Sequence, residues 1–126
     1  MISVSWTCAD GRHGAVDLVD EERWTIGRGG ADEEPTVVVD HPMVSRLAMV
    51  VRDTAAGPVV FRGQRENGAR VTIAGPDGSE QWLDEGTAGN LQPGTSTVEL
   101  VVRDVVVVAL EVEVAPPATA EEPMSA

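Results

Sequence analysis

The chain has 126 residues, 42% of them apolar, and a formal charge of −12. That length fits one domain with enough apolar surface to fold without disulfide or metal staples. The charge excludes the dense Lys and Arg that hold a phosphate backbone or an anionic membrane, so neither nucleic acid nor membrane is an expected partner.

Period-two alternation runs through the chain. Ile2, Val4, Trp6 and Cys8 alternate with Ser3, Ser5 and Thr7, which predicts a strand with the first four on its core face. Asp10-Gly11 marks a turn, and residues 15–19 read as the returning strand. Residues 23–27 form the next, with Trp24 and Ile26 on one face. A short β-branched strand is expected at 36–39, followed by strands at 47–51, 58–62 and 69–73. Gly75-Pro76-Asp77-Gly78 is a strong hairpin-tip signal. Trp82, beside that turn and an acidic patch, is expected to be partly buried. Residues 98–102 and 105–114 pair around Arg103-Asp104, with Val106, Val108, Leu110 and Val112 facing one way and Glu111 and Glu113 the other. No segment carries a helical stripe.

The predicted class is therefore all-β, an antiparallel sandwich of about 10–11 short strands spanning residues 1–114. Residues 115–126 turn to Pro, Ala, Glu and Thr and are expected to be a disordered tail. A lone cysteine, Cys8, makes no internal bridge and suits a reducing compartment. No basic-plus-apolar leader and no run near the ~20 residues of a membrane span occurs, so a cytoplasmic protein is expected. Nine arginines without lysine, in a chain rich in Ala, Gly, Val and Asp, suggest a GC-rich bacterial genome.

Catalytic and metal chemistry find little here. His13, His41 and Cys8 lack zinc spacing, and the run Asp32-Glu33-Glu34 lacks that of a calcium loop. No Ser-His-Asp order, P-loop or dinucleotide fingerprint occurs. The expectation is a non-enzyme without metal or cofactor.

Three polar pairs at turns stand out: Gly27-Arg28, Ser45-Arg46 and Asn67-Gly68. A sandwich core does not require them. In order and spacing they resemble the ligand loops of the forkhead-associated (FHA) domain family, a phosphothreonine-reading β-sandwich. Leu91-Gln92-Pro93-Gly94 also looks like that family's turn before its final strands. The resemblance covers about residues 1–114 and implies a signalling adaptor whose partner is a phosphothreonine-bearing protein, such as a Ser/Thr kinase substrate. It assigns Arg28 and Ser45 to the phosphate, with Arg46 beside them, and Asn67 to the peptide backbone. The chemistry suits those roles. Phosphothreonine carries about −1.5 to −2 charges and three acceptor oxygens, arginine gives charge-assisted and often bidentate donors, and an asparagine amide offers donors and an acceptor. Gly27 and Gly68 permit tight loop geometry.

The chain departs from the family at three places. Ala48 stands where the family has a histidine that buttresses the phosphate loop, Leu47 replaces an often basic position, and Glu66 precedes Asn67 where Thr, Ser, Arg or Lys is usual. A carboxylate ~8 Å from a dianion repels it by about 4 kcal/mol at an effective dielectric of ~20, and by about 1 in water. Two arginine–phosphate bonds return ~1.5–3 kcal/mol each. The ranges overlap, so a second reading stays open: a degenerate FHA domain that docks a partner, or self-assembles, without phosphate.

Overall fold

The computed structural model describes residues 2–19, 22–28, 35–39, 48–54, 57–62, 69–83 and 86–115. All regular elements among them are strands: β1 Ile2–Cys8, β2 His13–Leu18, β3 Arg23–Gly27, β4 Val37–Val38, β5 Met49–Thr54, β6 Gly57–Arg62, β7 Ala69–Ala74, β8 Glu80–Leu83, β9 Ala88–Asn90, β10 Gly94–Val102 and β11 Val105–Val114. They form a six-stranded sheet, β2-β1-β11-β10-β7-β8, and a five-stranded sheet, β4-β3-β5-β6-β9. Every pairing is antiparallel except β3 with β4. The all-β sandwich predicted from alternation is the fold observed. Residues 116–126 of the expected tail lie outside the described residues.

The core fills the space between the sheets. Inward residues of β1, β10 and β11 (Val4, Val98, Leu100, Val108, Leu110 and Val112) meet Trp24, Ile26, Met49, Val51 and Val60 from the facing sheet. Full burial of side chains this size contributes about 1.5–3 kcal/mol each, before the cost of ordering them. Cys8 is buried on the predicted face. Burial pushes its thiol above the usual range, Arg12 draws it down and Asp10 pushes it up. Trp6 is only partly buried. It lies opposite Gly14 on the edge strand, where a Cβ would come within 2.5 Å of its ring, and its ring centroid stands 5.6 Å from that of Trp24.

Three expectations need correction. First, β8 and β9 carried no recognised strand signal. β9 reads Ala-Gly-Asn, and it pairs with β6 through its backbone alone. Second, Val106 does not continue the inward row. The register shifts between Leu100 and Val101, so Leu100 faces Val108 while Val101 faces Val106. This bulge turns Val107 inward, at 7% exposure, and leaves Val106 at 37%. Third, Trp82 is 59% exposed, not partly buried. It stands opposite Thr72 on the outer face of an edge strand, and the Arg70 guanidinium lies 4.8 Å from its ring centroid.

Candidate functional site

Register decides which loops share an end of the sandwich. Ile26 of β3 pairs with Met49 of β5, which pairs with Arg62 of β6. β3 and β6 finish on this row and β5 begins on it. β4 runs parallel to β3, with Val37 beside Ile26 and Val38 beside Gly27, so it finishes there too. In the other sheet the start of β7 is level with the end of β10, through Ala69 and Val102. The described strand ends that flank residues 28–36, 40–47 and 63–68 in the sequence therefore lie at one end of the molecule. The three pairs read from the sequence fall in or beside those segments.

Arg28 is exposed immediately after β3. Gly27 closes that strand, and its carbonyl accepts the Val39 amide at 2.8 Å. The β3–β4 excursion is tied one step lower by two threonines. The Thr36 amide donates to Thr25 Oγ1 at 2.8 Å, and the Thr25 amide donates to Thr36 Oγ1 at 3.1 Å. This pairing lets Thr25, a polar residue, be buried at 6% exposure. Ala48 is buried at 5% exposure, and its amide donates to the Ile26 carbonyl at 2.9 Å. Ser45, Arg46, Asn67 and Gly68, with Leu47, Glu66 and His41, lie outside the described residues. Of the assigned phosphopeptide residues, the structure thus positions Arg28 alone.

Two features of this end escaped sequence reasoning. Arg62 Nη1 donates to the Leu83 carbonyl at 2.9 Å, joining the end of β6 to the end of β8 in the opposite sheet. The second lies in the β10–β11 turn, whose pairing the sequence did indicate but whose backbone it did not. Arg103 and Asp104 are both left-handed, at φ 49° and 66°, and Asp104 Oδ1 accepts from Arg70 Nη2 at 3.2 Å. Pairing β7 with β8 about Asp77 would have placed residues 70, 72, 80 and 82 on one face, which was the available signal for the Arg70–Trp82 contact.

An open groove of about 630 Å³ flanks β4, with Trp6, Val37 and Val38 as apolar wall and Arg12, His13 and Thr36 as polar rim. Arg12 donates to Asp10 from both its amide and its guanidinium, and these bonds hold the Asp10 carboxyl below its ordinary range. Among the described residues no group of His, Cys, Asp and Glu is placed to hold a metal.

No protein-family model matches the chain, and no curated protein matches it. Solved structures do. The FHA-1 domain of Rv1747 from Mycobacterium tuberculosis aligns over 91% of this chain and 98% of its own, with TM-score 0.56 and 16% identity. The fold is that of an FHA domain. The FHA domain of CT664 from Chlamydia trachomatis agrees at TM-score 0.58 and 9% identity, covering 91% of this chain and 98% of that one. EmbR of M. tuberculosis, solved in complex with a low-affinity phosphopeptide, aligns over 92% of this chain and 25% of its own, with TM-score 0.54 and 18% identity. The fold is thus shared at identities of 9–18%, where the sequence comparisons find no match.

Proposed function

We propose that this chain is a non-catalytic interaction module that reads a phosphothreonine-bearing protein through the loops at the Ile26–Met49–Arg62 end. The observation that supports the reading is that register: the strand ends that flank Gly27-Arg28, Ser45-Arg46 and Asn67-Gly68 in the sequence lie at one end of an FHA fold. Arg28 and Arg46 supply charge-assisted donors to the phosphate, Ser45 a hydroxyl, and Asn67 holds the backbone of the extended peptide. EmbR, a neighbour of the same fold, was solved with a phosphopeptide. The partner is then a substrate of a Ser/Thr kinase, met in the cytoplasm of a bacterium. Calorimetric titration with a degenerate phosphothreonine library tests this. Binding that requires the phosphate and falls at least about tenfold in Arg28→Ala is the expected result. Equal binding to unphosphorylated peptides overturns it.

A second reading rests on Ala48. Where the family places an imidazole, this chain has a buried methyl, and Glu66 adds negative charge beside Asn67. In that reading the domain docks a protein without phosphate. A complex captured from lysate that survives phosphatase treatment supports it, and one that dissolves excludes it.

A further inference from the structure

The edges of the two sheets are unequal. β4, β9 and β8 present two, three and four residues. β2 presents six, His13–Leu18, in unbroken register with β1. The hairpin joining β1 to β2 fixes which way the β2 backbone points. The Cys8 amide donates to the Arg12 carbonyl at 2.7 Å, and the Gly11 amide to the Cys8 carbonyl at 2.9 Å. Hydrogen-bonded pairs alternate from there, so Trp6–Gly14, Val4–Val16 and Ile2–Leu18 are the bonded ones. The other side of β1 agrees. The Ala9 amide donates to the Val107 carbonyl at 2.9 Å, which turns the odd-numbered residues of β1 toward β11. The amides and carbonyls of His13, Ala15 and Asp17 therefore point away from β1, and no strand among the described residues lies beside them. His13, Ala15, Val16 and Asp17 are exposed. No lysine, proline or bulge guards this edge. Past Leu18 it closes, because the Val19 amide donates to Glu22 Oε1 at 2.9 Å and the Glu22 amide to the Val19 carbonyl at 3.0 Å.

This edge is complementary to itself. An antiparallel copy related by a twofold axis through Ala15 sets Ala15 against Ala15, and His13 against Asp17 on both sides. Every outward-pointing residue then meets another, as an antiparallel ladder requires. The side chains agree with that register. His13 faces Asp17 of the second copy, a donor across from a carboxylate; Asp17 Oδ1 accepts from the Ser3 hydroxyl at 2.8 Å, which leaves its second oxygen for the histidine. On the inner face Val16 is 37% exposed, although Val4 beside it is fully buried. Val16 falls opposite Gly14 of the second copy. The Trp6 ring lies over that glycine, where a Cβ would come within 2.5 Å of it, so Val16 meets an aromatic surface in place of water. Moving the axis to Gly14 sets Asp17 against Gly11, and moving it to Val16 sets His13 against Val19, whose backbone Glu22 already occupies.

We propose that β2 pairs antiparallel with β2 of a second copy of this chain, about a twofold axis at Ala15, joining two six-stranded sheets into one. The occupant is a second copy because each feature of the edge, read in reverse, meets its own complement. The formal charge of −12 opposes association at a distance, but ~0.15 M salt screens it beyond about 8 Å. The surface runs along a sheet edge and does not depend on the phosphothreonine reading.

Sedimentation velocity of the full chain in ~0.15 M salt, from ~10 μM to ~1 mM, is the test. A concentration-dependent shift from monomer to dimer is expected. Ala15→Pro removes only an outward-pointing amide, a change that an edge strand accepts. It should weaken the dimer at least about tenfold while the far-ultraviolet dichroism stays unchanged. Oxidative cross-linking reads the register and keeps the test decisive if that variant does not fold. Ala15→Cys sets two cysteines about 5.5 Å apart at Cα, within disulfide reach, and should give a covalent dimer. Asp17→Cys sets them about 13 Å apart along the strands and should not. Cys8 is buried and competes in neither. A chain that stays monomeric to ~1 mM overturns the proposal and leaves the edge to a strand of another protein. A folded Ala15→Pro that dimerises like the parent, or equal cross-linking of the two cysteine variants, overturns it as well.

Discussion

The β10–β11 hairpin has a loop of two residues, because Val102 pairs directly with Val105. Two-residue loops that match strand twist need positive φ at both positions, hence the preference for Asn-Gly. Arg103 and Asp104 supply that geometry, at φ 49° and 66°, with ordinary side chains. An L-residue held left-handed costs roughly 1–2 kcal/mol, somewhat less for Asp. Replacing the pair by Asn-Gly removes most of that cost at both positions. Against this stand the extra chain entropy of glycine, about 0.5–1 kcal/mol, and the loss of the Arg70–Asp104 ion pair. That pair is 3.2 Å long, but its side chains are 42% and 92% exposed, so it contributes under ~0.5 kcal/mol.

The net expectation for Arg103→Asn with Asp104→Gly is a gain of about 1 kcal/mol, or roughly 3–6 °C in Tm for a domain of this size. Urea unfolding followed by tryptophan emission and far-ultraviolet dichroism measures it, with a higher midpoint and an unchanged slope. Asp104→Asn is the control: it breaks the ion pair but keeps a residue that tolerates the left-handed region, and should stay within ~0.5 kcal/mol of the parent. A double variant no more stable than the parent refutes the strain argument. A control that costs more than about 1 kcal/mol shows instead that the ion pair was undervalued.

The bulge makes a sharper claim about Val106 and Val107. Val107→Asp should cost about 3 kcal/mol or more by denaturant titration, and Val106→Asp less than ~1; simple alternation predicts the reverse order. The Cys8 thiol should resist a disulfide-exchange reagent in the native state. Because burial raises its folded pKa, the unfolded chain loses its proton first as pH rises. Cys8 therefore lowers stability progressively above the ordinary thiol pKa of about 8.5, and Cys8→Ala should remove that alkaline slope. Trp82 should account for most iodide-quenchable emission, since Trp24 is fully buried and Trp6 packs against it. Trp82→Phe should abolish that fraction while changing stability by under ~1 kcal/mol.

Much of this fold could be read where side chains alternate. β1, β3 and β11 announce themselves because every second residue is apolar and turn residues bound them. β9 does not, because its inward residue is Gly89, where a Cβ would press to 3.0 Å on both Ile73 and Leu83. Glycine stands there because the neighbouring side chains need that space, and the strand is recognised only from its pairing with β6. The run Val105–Val108 is equally silent about its bulge, since four identical residues give no clue to which one is extra. The order of the three pairs suggested a common site. That the strand ends flanking them share one end follows from pairing register, which no short motif encodes.

The departures at Ala48 and Glu66 carry different weights once the strand ends are in place. A histidine buttress, which the family resemblance expects at position 48, would be worth ~0.5–1.5 kcal/mol net. Yet the Ala48 amide already bonds to the Ile26 carbonyl, and Met49, fully buried, is paired with both Ile26 and Arg62. The start of β5 is thus fixed by backbone and core, whatever side chain stands at 48. An imidazole at this 5%-exposed position would have to enter the core. Ala48→His should therefore lower stability without tightening phosphopeptide binding. Glu66 offers no such compensation, since its charge acts through space. A carboxylate ~8 Å from a dianion repels it by about 1–4 kcal/mol, so Glu66→Thr should tighten phosphopeptide binding by up to that amount. That gain should shrink with added salt, because repulsion over such a distance is screened at a Debye length of ~10 Å at 0.1 M. Calorimetry of both variants at low and high salt decides the matter. If Ala48→His gains more than Glu66→Thr, the phosphate loop is limited by support rather than by charge.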